Sequence, residues 1–170
     1  MSRKALFIFS WLFLGSVFLA AEVQKKSLFH IKRNKNRNQV HYAISYNSAE
    51  CTPAKKEPVY GYWLDLEIGP NVVNPIGTFE SMAYGIKSQS YTNGTLDLRL
   101  KALPEQLIQV KFNKLADSCK VDAFTSISGN EGVLKEIYVF AEEGMITPTV
   151  KYVDIIGTKS GSTIKQRILK

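Results

Sequence analysis

Histidine and cysteine are scarce in this chain, two of each in 170 residues, and the scarcity excludes a good deal. A zinc site built on His30 and His41 would have to recruit carboxylates from elsewhere, so no metal site is expected. The chain has no His-Glu-x-x-His, no Gly-x-Ser-x-Gly and no second pair of cysteines, the spacings that hold a catalytic zinc, expose a nucleophilic serine or close a structural metal site. Gly157-Thr158-Lys159-Ser160-Gly161-Ser162 is rich in small residues, but no helical pattern follows it to aim backbone amides at a phosphate. It reads as a hairpin turn. No window sustains helical spacing over three turns. No catalytic residue and no cofactor are therefore expected.

Long apolar runs are also missing, with one exception at the N-terminus. Ser2-Arg3-Lys4 precedes an apolar stretch from Ala5 to Leu19, and Ala20-Ala21 supplies small residues before Glu22. This is the pattern of a cleavable signal peptide over residues 1–21. The run is shorter than the roughly 20 residues of a membrane span, so no integral span is expected after cleavage. The remaining residues, 22–170, form a single expected domain, exported to a periplasmic or extracellular space, with a net charge of about +5. Nucleic acid is not an expected partner there. In an oxidising compartment the lone pair Cys51 and Cys119 favours a disulfide.

What the chain does contain is alternation. Tyr60, Tyr62, Leu64 and Leu66 fall at every second position of Pro58 to Glu67, which predicts a strand with those four side chains inward. Val40, Tyr42, Ile44 and Tyr46 repeat the design, as do Leu96, Leu98 and Leu100, then Ile108, Val110 and Phe112, and later Val121 to Ile127, Val133 to Ala141 and Val150 to Ile156. Phe79 to Ser88 is read as one further strand, and Asn71 to Gly77 as a loop. Asn93-Gly94 predicts a two-residue hairpin turn with positive φ at both positions. The sum is an all-β antiparallel meander of about 8–10 strands closing into a barrel or sandwich, with lipocalin-like architecture as an analogy.

Several residues stand out. Tyr42, Tyr60, Tyr62, Trp63, Tyr84 and Tyr152 are the aromatic supply for lining an internal ligand space. Asp154 lies among Val150, Tyr152 and Ile156, and so needs a basic partner such as Arg99 or a polar spot inside the barrel. Lys32, Arg33, Lys35 and Arg37 crowd the first hairpin beside Lys25 and Lys26, a patch suited to an anionic surface. Asp65 and Glu67 sit about 7 Å apart on one strand face, a spacing compatible with acid–base chemistry, although a solvated strand edge explains it as well.

One set of landmarks, taken in order, resembles a known family. They are Leu28-Phe29-His30-Ile31-Lys32-Arg33 with Asn34, Lys35, Asn36 and Val40, then Pro58-Val59 with Tyr62-Trp63, then Ala83-Tyr84-Gly85-Ile86. Ala102-Leu103-Pro104, Ile137-Tyr138-Val139, and Val150-Lys151-Tyr152-Val153-Asp154-Ile155 with Gly157 and Gln166-Arg167-Ile168 complete them. Together they are similar to the exported proteins grouped as domain of unknown function family 4833. The resemblance implies one secreted β-rich domain and carries over no activity. Cys51 and Cys119 stand outside it, so their pairing rests on the cysteine argument alone.

The expected role is an exported, non-enzymatic β-barrel that binds a small apolar or amphipathic ligand. The alternative is a cell-envelope module holding a protein or anionic polymer through the basic hairpin.

Overall fold

Three tight turns set the frame of the sheet. In the computed structural model, which describes residues 22–69, 72–142 and 148–170, positive φ occurs at Asn93 and Gly94, at Ser128 and Gly129, and at Ser160 and Gly161. Each pair is the two-residue centre of a hairpin whose backbone twist matches its strands. The segment read as a signal peptide lies outside the described residues, as do Pro70 and the Glu143-Gly144 end of a predicted strand.

The chain runs through β1 (Val23–Arg33), β2 (Gln39–Asn47), β3 (Thr52–Pro53), β4 (Val59–Leu64) and β5 (Val73–Pro75) to one helix, α1 (Thr78–Tyr84). It continues through β6 (Ile86–Thr92), β7 (Thr95–Leu100), β8 (Ile108–Lys114), β9 (Cys119–Ile127), β10 (Asn130–Glu142), β11 (Thr149–Lys159) and β12 (Ser162–Leu169). The fold is all-β, a mixed sheet of twelve strands. Among the described residues no helix is long and apolar enough to cross a membrane.

Strand β10 organises the sheet because its length lets it serve three neighbours. One edge pairs with β11 from Val133 to Glu142. The other edge pairs first with β9, at Asn130 to Val133, and then in parallel with β1, at Glu136 to Val139. Two wings diverge from this fork, β1-β2-β4-β5 on one side and β9-β8-β7-β6 on the other. Phe29, Ile31, Tyr42 and Ile44 of the first wing join Leu96, Leu98, Val110 and Val121 of the second in one core with Ile137 and Ile155 of the shared strands. The parallel β1–β10 pair departs from a pure antiparallel meander, since a strand that closes onto a distant strand is free to run in either direction.

The free edges of β4 and β6 do not form a ladder, and a side chain spans them instead. The Gln89 carboxamide donates from Nε2 to the Val59 carbonyl at 3.2 Å and accepts the Val59 amide at 3.0 Å. At the end away from α1, the Cys51–Cys119 disulfide ties the turn after β2 to the start of β9. Close by, the Lys114 ammonium reaches the Ala49 carbonyl.

Two elements differ from the sequence reading. The expected strand from Phe79 to Ser88 is α1 followed by β6, because Glu80, Met82 and Ala83 favour helix and seven residues are too few to show a helical period. The expected loop before it contains the short edge strand β5, where Pro75 is tolerated because an edge position needs no second ladder. In β4 the alternation holds but its inward face is the opposite one: Val59, Gly61 and Trp63 face the core. A Cβ on Gly61 would strike Ile76 and approach Tyr42, so this side of β4 is where the core closes. Tyr60, Tyr62 and Leu64 are half-buried on the outer face.

The disulfide closes a loop with a sequence separation of 68, so removing it releases about 4 kcal/mol of unfolded-state entropy in the chain-entropy account. Cys51→Ala/Cys119→Ala is expected to lower the urea midpoint accordingly, with a somewhat steeper slope because the unfolded chain without the crosslink exposes more surface. An unchanged midpoint would show that the other contacts between the wings suffice.

Candidate functional site

The six aromatic residues proposed as the lining of an internal space do not meet in one place. Tyr42 is inside, but it fills the core rather than bordering a void: it is fully buried and stacked on Phe29 at 4.8 Å, and its hydroxyl donates to the Tyr84 carbonyl at 2.6 Å. Burial, with Tyr84 nearby, pushes the Tyr42 phenol well above its ordinary range. Leu96, Leu98, Leu100, Val110 and Val121 occupy the rest of that interior and expose nothing.

Tyr60 and Tyr62 belong to the outer face of the sheet. Cross-strand register places Glu136, His30, His41 and Tyr62 in one row. The His30 Nε2 lies 3.0 Å from the Glu136 carboxylate, and the rings of His30, His41 and Tyr62 stack in succession at 5.2 and 5.5 Å. Partial burial, and then the neighbouring His30, lower the His41 pKa.

The next row on the same face holds Asp154. Its carboxylate is almost wholly buried and accepts from Arg167 Nε at 2.7 Å and Nη2 at 2.9 Å, with the Lys165 ammonium at 2.8 Å. The partner is thus Arg167, directly opposite in the β11–β12 register; Arg99 instead donates to the Pro104 carbonyl. The bidentate Arg167 bond outweighs desolvation and holds the Asp154 carboxyl at about 2, while the same bond raises Arg167. Tyr152 lies beneath, with the Arg167 guanidinium 3.7 Å above its ring and Phe140 stacked alongside at 4.9 Å. This cluster is a bolt between β11 and β12.

Trp63 and Tyr84 do come together, at the end of the fold that carries α1. Their rings meet edge to face at 5.5 Å, and the guanidinium of Arg33 lies 5.2 Å from the Trp63 centroid and 5.7 Å from that of Tyr84. Arg33 therefore leaves the basic surface patch, because the last position of β1 turns its side chain toward the core side. Lys32, Lys35 and Arg37 remain exposed on the hairpin. Asp65 and Glu67 are no strand pair: β4 ends at Leu64, and the Asp65 carboxylate accepts the Glu67 and Ile68 amides of a local turn.

Two cavities flank α1. One, of about 380 Å³, is polar and is lined by Arg33, Asn38, Trp63, Asp65, Asn74 and Glu80, among others. The second, of about 280 Å³, is walled by Tyr84, Leu103, Ile137, Val139, Val150 and Val153, with Lys101 and Lys170 as the only charged residues among the described ones that line it. Neither lysine has an ion-pair partner among the described residues. Periodicity gave no sign of this apolar cleft, since its walls come from five separate segments. The signal was present elsewhere: Ala83-Tyr84, Ala102-Leu103, Ile137-Tyr138-Val139 and Val150 to Val153 are landmarks of the family resemblance, and all four stretches converge here.

Among the described residues no group of three or more histidine, cysteine, aspartate or glutamate side chains is placed to hold a metal ion. Comparison with known families finds that the model described as Domain of unknown function (DUF4833) matches residues 29–167. No curated protein and no solved structure matches the chain.

The Asp154 bolt has a defined pH signature. Its folded pKa of about 2 lies below the ordinary 3.8, so its contribution is complete above the unfolded value and is lost as pH falls from about 4 toward 2. Asp154→Asn is expected to cost about 1–2 kcal/mol at neutral pH, a figure discounted because both cations are half-exposed. The difference from wild type should shrink across that acid window when unfolding is followed by circular dichroism. A difference independent of pH would assign the loss to packing.

Proposed function

The chain belongs to the DUF4833 family, whose description names no activity, and we propose from its own geometry that it is an exported, non-enzymatic binding protein for a small amphipathic anion. The ligand lies at the end of the sheet beside α1, not inside the curled sheet. The observation that carries this reading is the apolar cleft, where family landmarks far apart in sequence meet around a concave surface and, among the described residues, the only formal charges on the lining side chains are two ammonium groups. Apolar walls with a few oriented polar groups are the usual make-up of a small-molecule site. An aliphatic or aromatic body would rest against Leu103, Ile137, Val139 and Val153, and its anionic head would face Lys101 and Lys170.

The volume suits a short chain or a single ring. Burying such a body removes apolar area from water at about 25 cal/mol per Å², and a charge-assisted contact to an exposed lysine adds little more than about 1 kcal/mol. Affinity would therefore come mainly from the walls and head-group preference from the lysines.

The surroundings favour a lipid-like source. Phe79 and Met82 of α1, and Val150 and Leu169 of β11 and β12, are large apolar side chains left exposed on the elements that border the cleft. Clustered exposed apolar groups of this kind mark contact sites. The basic hairpin residues Lys32, Lys35 and Arg37 stand at this end too, so the envelope-surface reading involves the same region of the molecule.

The test combines recovery and binding. Native mass spectrometry of gently purified protein is expected to show a bound small molecule, and dodecanoate is expected to bind by calorimetry. Ala102→Trp, which fills the cleft, should weaken dodecanoate by about tenfold or more, and Lys101→Gln by only a few-fold. Equal binding by Ala102→Trp would remove the site from the cleft. Retention on phosphatidylglycerol vesicles with no small molecule bound would favour the envelope module instead.

A further inference from the structure

The polar cavity on the other side of α1 poses a separate problem. Arg33 Nε and Trp63 Nε1 are both buried N–H donors with no hydrogen-bond acceptor among the described residues. An uncompensated buried donor costs about 1–3 kcal/mol, more when it carries charge, and native proteins leave few of them. Here both belong to residues that line the same cavity and pack on one another.

The guanidinium is also short of counter-charge. Arg33 forms no ion pair among the described residues, and its one side-chain contact, Nη2 to the Asn36 Oδ1, is 3.5 Å long, at the limit of a hydrogen bond. The Trp63 and Tyr84 rings, 77° apart, pack against it and fix its position, and with Nε buried its terminal Nη edge is the side left to take a ligand. Two carboxylates line the cavity without reaching that edge. Asp65 is held by the Glu67 and Ile68 amides, and Glu80 folds against Gly77 in the first turn of α1.

The wall thus offers one fixed cation, two carboxylates and the carboxamides of Asn38 and Asn74. A simple anion would gain the arginine but meet two like charges. A simple cation would meet the arginine. A molecule carrying both charges a few ångströms apart satisfies both halves, because each of its ends meets an opposite charge in a partly water-excluded site.

We propose that this cavity binds a small zwitterion of the amino-acid type, its carboxylate on the Arg33 edge beside the Trp63 indole N–H and its ammonium toward Asp65 and Glu80. The site is distinct from the apolar cleft, and its test does not depend on that reading. The cavity of about 380 Å³ admits a free amino acid or a very short peptide end.

The two donors are their own reporters. In ¹H–¹⁵N spectra of the full chain, with the indole resonance of Trp63 assigned by Trp63→Phe, alanine is expected to shift the Trp63 Nε1–H and Arg33 Nε–H signals with a Kd of about 1–10 mM. Acetate at matched ionic strength should bind at least about fivefold more weakly, since it lacks the ammonium. Arg33→Lys, which keeps the charge but loses the planar fork, should abolish the alanine response, whereas Glu80→Gln should weaken alanine and strengthen acetate. Shifts no larger than those produced by sodium chloride would mean that water satisfies the two donors and would overturn the proposal. Equal response to acetate and alanine would overturn the zwitterion assignment.

Discussion

The structure depends on one strand doing the work of two. Because β10 offers the first part of one edge to β9 and the later part to β1, a single strand holds both wings at a fixed spacing and leaves their inner faces no choice but to pack on each other. The bulges between Leu134 and Glu136 and between Phe140 and Ala141 belong to the same geometry, since an extra residue bends a strand and increases its twist. Everything else in the architecture completes that closure: Gln89 across the seam, the disulfide at one end, α1 at the other.

A core shared in this way has a functional consequence. The space between the two wings is filled by branched and aromatic residues from both of them. Concave surfaces are thereby displaced to the end of the sheet, where α1, the turn after β4, the segment after β7 and the ends of β10 and β11 leave space between them. The two cavities there have opposite character, one walled by aliphatic side chains and one by charges. The Arg33, Trp63 and Tyr84 cluster lies at this end, and its three side chains lock one another.

Much of this was legible in the sequence, and the exceptions share a cause. Alternation located most of the strands because a half-buried sheet imposes a period of two. The Asn93-Gly94 turn was legible because few residue pairs adopt positive φ at both positions without strain. The cysteine pair was legible because the chain holds two cysteines and no third. Alternation identifies which residues share a face, however, and not which face is inward, so Tyr60 and Tyr62 were assigned to the core when Gly61 marks the closer approach. Arg33 looked like one more member of a basic hairpin, since local composition carries no information about the rings that Trp63 and Tyr84 bring from other elements. The apolar cleft was invisible to periodicity for the same reason: five segments contribute one to three side chains each, and only the folded sheet makes them neighbours.

The shared core is therefore the claim on which the rest stands, and native-state hydrogen exchange tests it most directly. If both wings pack on one core through β10, the slowest amides of β2, around Tyr42 and Ile44, and those of β7 to β9, around Leu98, Val110 and Val121, will open together with the free energy of global unfolding. Opening of β6 to β9 at a distinctly lower free energy than β1 and β2, as a separate cooperative unit, would contradict the account.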